Sequence, residues 1–298
     1  MRLDLNFKNE EEKKAFVEAG EHEFRGRLSD AVKRCKNENA KIITVTGPSC
    51  SGKTTASNRL IGELESDGSK VKVVSVDNFF RSRSQSVMSE SIETLDLDSV
   101  KALDIECFES YMNDLYAGKS RISEPVFDIS IGERIGYSEF SPEDYDVFLF
   151  EGIQVVYPEV SRCFEKFPCV HMFLSVSDGI EINGSCFEAS EVRFLRRLVR
   201  DCKFRGSIPD FVFEYWNTVR NNEKKNIEPY VENIEIKINS LLKYELCVIK
   251  PYAIELIGRL TNKEFAPAAE SILKRFENIP DITAEYVPLD SVFREFIG

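Results

Sequence analysis

Lys41-Ile-Ile-Thr-Val-Thr46-Gly47-Pro-Ser-Cys-Ser-Gly52-Lys53-Thr54 is the stretch on which the fold turns. Its first six residues are a short β-branched run, which reads as a buried strand. The next eight match G-x-x-x-x-G-K-[ST], and a helical pattern follows over Ser57 to Leu64. Strand, glycine loop and helix in that order are the context that a phosphate loop requires. The loop is read over Gly47, Pro48, Ser49, Cys50, Ser51, Gly52, Lys53 and Thr54, with Thr55 next to it in the helix. Glycines let backbone N–H groups wrap a phosphate, and the helix N-terminus adds positive potential. Lys53 can reach the β- and γ-phosphates, and the Thr54 hydroxyl can ligate Mg²⁺. The plain alternative, a glycine-rich turn with a surface lysine, leaves the ordered match unexplained.

Outward from this stretch, three more apolar runs read as strands: Val71 to Val76, Val147 to Phe150 and Val170 to Val176. Helical patterns lie between them, including Val100 to Leu115. Short apolar strands alternating with helices predict an α/β fold with a mostly parallel sheet covered on both faces. Upstream, the spacing from Phe16 to Cys35 predicts one amphipathic helix. Downstream, a strand over Ile234–Ile238, helices over about 243–260 and 267–276, and an extended Tyr286-Val-Pro-Leu are predicted. The expected division is an N-terminal helical extension over 1–40, a phosphate-loop domain over 41–260 with an arginine-rich lid at about 188–230, and a C-terminal helix and tail over 261–298.

Ligands in an open α/β sheet sit beyond the carboxyl ends of the strands. Asp77 closes the second strand and Glu151 the third, so both point to the edge that carries Gly47. Carboxylates beside a phosphate loop are a usual means of holding Mg²⁺ or its waters. A strand-end acid is also common in any solvated turn, and the pair on one edge favours the functional reading. Glu191 to Gly206 adds a third group of residues, where Arg193, Arg196 or Arg197, and Arg200 recur on one face of a helix whose seam is apolar, and Arg205 follows before Gly206. A solvated basic face is the plain reading, but in so acidic a chain clustered arginines suit a clamp on a transferring phosphoryl group.

Across 298 residues, 51 acidic side chains against 39 basic ones give a formal charge of −12. Counterion release needs a basic face, so nucleic acid is not an expected partner. No apolar run approaches a membrane span, and the charged start, Met1 to Glu23, does not resemble a signal or transit peptide. A cytoplasmic protein is expected, compatible with a homo-oligomer. The eight cysteines form no C-x-x-C pair, which argues against a zinc site or a disulfide framework. Cys50 alone lies among loop donors near a helix N-terminus, either as a reactive thiol or as one packed inward.

As an ordered set, the phosphate loop, Val76-Asp77-Asn-Phe-Phe-Arg81, Pro125-Val-Phe-Asp128, Phe150-Glu-Gly152 and Arg196-Arg-Leu-Val-Arg-Asp201 with Phe204-Arg-Gly206 resemble the uridine kinase and phosphoribulokinase family. Trp216-Asn-Thr-Val-Arg220, Lys250-Pro-Tyr252 and the closing Ser291-Val-Phe-Arg-Glu-Phe-Ile-Gly298 resemble its bacterial uridine-kinase-like subgroup. Members of that subgroup often carry an N-terminal domain similar to part of threonyl-tRNA synthetase, for which the stretch before Lys41 is expected to be too short.

The resemblance implies an ATP- and Mg²⁺-dependent kinase acting on a nucleoside-like hydroxyl compound. By it, Asp77 is the general base and Glu151 an acid that helps hold Mg²⁺. Asp98, with Asp96 as the competing assignment, binds ribose hydroxyls. Arg197, Arg200 and Arg205 contact ATP and the transferred phosphate, and Phe127 lines the acceptor pocket. One departure concerns the pocket: uridine kinases carry Tyr-Asp-Phe and a nearby histidine, whereas this chain has Phe127-Asp-Ile-Ser-Ile-Gly-Glu-Arg134. A pocket without those hydrogen-bonding groups discriminates poorly for a pyrimidine. Uridine or cytidine is the default acceptor. The alternatives are another small alcohol, such as a phosphosugar or pantothenate-like compound, and a nucleotide-binding regulatory protein with little kinase activity.

Overall fold

A computed structural model describes residues 1–82, 99–232 and 234–298. In chain order, the N-terminal half holds β1 (Arg2–Leu3), α1 (Glu10–Asn37), β2 (Ile42–Thr46), α2 (Lys53–Ser66), β3 (Val71–Ser75), α3 (Ile105–Tyr116), β4 (Ile122–Asp128), β5 (Glu133–Phe140) and β6 (Val147–Glu151). Then come α4 (Pro158–Ser161), β7 (Cys169–Ser175), β8 (Ile180–Ile182), β9 (Ser185–Phe187), α5 (Ala189–Phe204), α6 (Pro209–Asn226), β10 (Ile236–Asn239), α7 (Glu245–Ile257), α8 (Ala266–Phe276) and α9 (Arg294–Ile297).

The central sheet runs β10-β7-β2-β6-β3, with every pairing parallel. All five residues of β2 are buried, as a β-branched strand flanked by neighbours and covered on both faces must be. Its place is central: Val45 pairs with Glu151 on one side and with Met172 on the other. Because β6 lies between β2 and β3, Glu151 stands between the loop after Thr46 and the turn after Ser75. Two apolar layers cover the sheet. One gathers α1, α2, α5, α7 and the C-terminal segment; the other gathers α3, Phe79, Phe150 and Phe164.

Several expectations shift in detail. The run expected to continue as strand to Val76 ends at Ser75 and turns into a 3-10 helix over Val76–Phe79, which places Asp77 beyond the end of the strand. The first helix extends to Glu10, where Asn9 accepts a hydrogen bond from the Glu12 amide at 2.9 Å and three acids occupy the first turn. A β4–β5 hairpin and a small β1-β8-β9 sheet were not predicted. No helix among the described residues is long and apolar enough to cross a membrane.

Candidate active site

The loop from Gly47 to Gly52 fits only the residues it has at its two ends. A Cβ on Gly47 would stand 2.0 Å from the Leu174 carbonyl oxygen, and Gly52 has φ +89. Between them Cys50 takes φ +61, a left-handed conformation that a side chain tolerates only under constraint. The constraint comes from α5. Arg196, fully buried, donates to the Cys50 carbonyl at 3.2 Å, to the Ser240 carbonyl at 2.8 Å and to Glu245 at 2.6 Å. Arg193 donates to the Ser49 carbonyl at 3.2 Å and to both Glu223 oxygens at 2.7 and 2.6 Å. These two arginines are struts that shape the loop, so of the helix-face arginines read as a clamp, Arg193 and Arg196 are held by buried acids instead. Burial pushes the Glu245 carboxyl upward, and Arg196 pulls the other way.

Removing one partner of a fully buried pair strands the other charge. Arg196→Met is therefore expected to lower stability by about 3–5 kcal/mol, read by urea unfolding, and to weaken nucleotide binding by releasing the Cys50 carbonyl. A change of stability under about 1 kcal/mol would contradict the strut assignment.

The other three arginines converge on one acid. Arg197 Nε lies 3.2 Å from Asp201, Arg200 Nε donates to it at 2.8 Å and Arg205 Nε lies 3.6 Å from it. Asp201, itself buried, thus gathers the three candidate clamp residues. Arg197 also donates to the Ser49 hydroxyl at 3.1 Å, so its guanidinium lies at the loop. Arg200 is buried, and the Arg205 side chain is 59% exposed. This hub was not legible in the sequence, because Asp201 reads there as one more charge on a helix.

Lys53 opens α2 and turns back over the loop, donating to the carbonyls of Gly47 at 2.8 Å and Pro48 at 3.2 Å. Burial lowers its ammonium pKa, and the fields of Glu151, Glu295, Asp77 and Cys50 oppose that shift. Lysine and acids therefore share one electrostatic neighbourhood. Glu151 and Asp77 come from adjacent strands, whereas Glu295 arrives from the far end of the chain. Thr54 is exposed, Thr55 is half-buried and Ser51 is buried. Cys50 is 3% exposed, its thiol 3.7 Å from the Ser49 hydroxyl, which is the inward-packed alternative.

The turn carrying Asp77 is tied to the β4–β5 hairpin. Asn78 Oδ1 accepts from the Phe127 amide at 3.4 Å, and the Phe80 and Phe127 rings meet edge to face at 5.6 Å. Arg134 crosses from the hairpin to Asp104 at 3.1 Å, and its amide donates to Ser82 Oγ at 2.9 Å. Phe127 is thus tied to Asn78 and Phe80, the turn that also carries Asp77. Asp98 and Asp96 lie outside the described residues.

The oxygens that could hold a divalent cation are those read from the sequence, the Thr54 hydroxyl and the Glu151 carboxylate, with Asp77 as the third candidate. Among the described residues, no three His, Cys, Asp or Glu side chains form a metal-holding group. Two protein oxygens fit Mg²⁺, which keeps waters and shares substrate phosphates instead of filling a protein cage.

Comparison with known proteins gives a consistent picture. A family model described as the phosphoribulokinase / uridine kinase family matches residues 42–246. Uridine kinase of Leuconostoc citreum is 29% identical over 190 residues, 63% of this chain and 81% of that protein. Uridine kinase of Staphylococcus haemolyticus is 29% identical over 202 residues, 67% and 87% of the two chains. Among solved structures, a "possible uridine kinase" from Bacillus stearothermophilus superposes with a TM-score of 0.50 at 17% identity. That superposition covers 72% of this chain and 99% of the other, and it supports the α/β fold with its parallel sheet.

Proposed function

Because the chain belongs to the phosphoribulokinase / uridine kinase family and is thereby a phosphotransferase acting on hydroxyl groups, we propose that it moves the γ-phosphoryl group of ATP to a primary hydroxyl of a nucleoside-like small molecule. The observation that carries this reading is the meeting of Lys53, Glu151 and Asp77 at one edge of three neighbouring parallel strands. The loop Gly47 to Thr54, through its backbone amides other than at Pro48, and the Lys53 ammonium cradle the triphosphate, with Thr55 behind them. Arg197 at Ser49, with Arg200 and Arg205, neutralises charge on the transferring group. Asp77 orients the acceptor hydroxyl and takes its proton. Thr54 and Glu151, with Asp77 adjoining, would hold Mg²⁺, which would supply charge neutralisation to the phosphates.

The phosphotransferase unit in this reading spans 41–260 with its lid at 188–230. The N-terminal helix and the C-terminal tail pack on it, and the protein acts in the cytoplasm on a small molecule.

Uridine or cytidine is the first acceptor class. A second class, another small alcohol, is favoured by one observation: Phe127 presents a bare ring, and Arg134 is already engaged by Asp104. Labelled ATP offered with uridine, cytidine, phosphosugars and pantothenate-like alcohols separates the two. The proposal expects the highest kcat/KM for a nucleoside. A phosphosugar preferred by about tenfold or more would move the assignment to the second class.

A further inference from the structure

The last eight residues lie outside the region that matches the family model. Ser291, Val292, Phe293, Phe296 and Ile297 are each at most 2% exposed, so this end of the chain is core. It is held from several sides. Ser291 Oγ and Tyr244 OH both donate to Glu21 of α1, the tyrosine at 2.5 Å. Lys203 of α5 donates to the Ile297 carbonyl at 2.6 Å, and Arg294 donates to the Ala284 and Gly298 carbonyls at 2.9 and 2.6 Å. A Cβ on Gly52 would stand 2.4 Å from Val292 Cγ2, so the segment presses on the phosphate loop itself.

That docking aims Glu295 into the site. Its Oε1 lies 3.8 Å from Arg200 Nη1, while its Oε2 is buried with no hydrogen-bond partner. Its field also reaches the Lys53 ammonium, alongside those of Glu151 and Asp77. The Glu295 side chain is 23% exposed, yet a carboxylate oxygen that is itself buried and unsatisfied is costly unless cations stabilise it. The cations here are Arg200 and Lys53, both assigned above to phosphate.

We propose that Glu295 is a resident anion of the phosphate site, competing with bound phosphates for Lys53 and Arg200 and thereby setting how tightly they are held. The inference rests on the reading of this loop as a triphosphate site. A triphosphate entering beside a fixed carboxylate meets repulsion that an uncharged isostere would not supply. The sign of the effect distinguishes this role from a structural one. Damage to packing weakens binding, whereas loss of the opposing charge strengthens it.

Calorimetric titration of wild type and Glu295→Gln with Mg-ATP and, separately, with inorganic tripolyphosphate tests the inference. The variant is expected to bind both polyanions about tenfold more tightly at low salt, with the gain shrinking at high salt. Unchanged or weaker tripolyphosphate binding by the variant would overturn the proposal. Tighter tripolyphosphate binding with no ATP binding by either protein would support Glu295 and overturn the nucleotide reading. Binding of neither polyanion by either protein would overturn both.

Discussion

Lys53→Ala is expected to lower kcat/KM by roughly 10²- to 10³-fold, the usual cost of one donor aimed at developing charge. Lys53 is the only side-chain cation that the loop itself contributes, and its ammonium reaches back over Gly47 and Pro48. Burial already works against its charge, so a polyanion close by is a better partner than solvent. The loop keeps its shape without the lysine, because Arg193 and Arg196 hold the Ser49 and Cys50 carbonyls from outside. Far-UV circular dichroism should therefore be unchanged while nucleotide titration weakens. Kinetics equal to wild type would remove the phosphate-loop assignment.

Asp77→Asn is expected to separate binding from chemistry. Turnover should fall by roughly 10²- to 10⁴-fold, the contribution of a positioned general base. Nucleotide affinity should not fall, since the substitution is isosteric, removes only a negative charge near Lys53, and the base acts on the acceptor. The geometry gives the reason. β3 stops at Ser75, opposite Glu151, and the 3-10 turn carries Asp77 past the sheet edge, with the next residue, Asn78, accepting from the Phe127 amide. A lowered affinity with turnover retained would make Asp77 part of the cation or nucleotide contact and leave the base unassigned.

The parts of this account readable in the sequence are those fixed by local chemistry. The loop announces itself because its glycines, lysine and threonine must stand at set spacings between a strand and a helix. Strand-end acids are equally legible, since an apolar run that stops at Asp77 or Glu151 aims it at one sheet edge. The arginines are different. Arg193 and Arg197 lie four residues apart on one helix and both reach Ser49, yet the first is a buried strut locked by Glu223 and the second is shared between the loop and Asp201. Only the positions of Glu223, Glu245 and Asp201 in space decide that difference.

The β4–β5 hairpin escaped for another reason. Its alternation is broken by Pro125, by Gly136 and by a register shift between Val126 and Phe127, so the period-2 signal never accumulates. Glu295 was unreadable because nothing in Arg294-Glu-Phe-Ile297 says what the segment docks against. Its meaning comes from Val292 pressing on Gly52, some 240 residues earlier in the chain.

The central claim is that this edge of the sheet transfers a phosphoryl group to a hydroxyl under the control of Asp77. ATP labelled at the γ-phosphate, incubated with Mg²⁺ and uridine, tests it most directly when wild type and Asp77→Asn are run side by side. The account predicts label in a phosphomonoester of the nucleoside with the wild type and almost none with the variant. Label recovered only as inorganic phosphate, or an Asp77→Asn enzyme that transfers as fast as wild type, would contradict it.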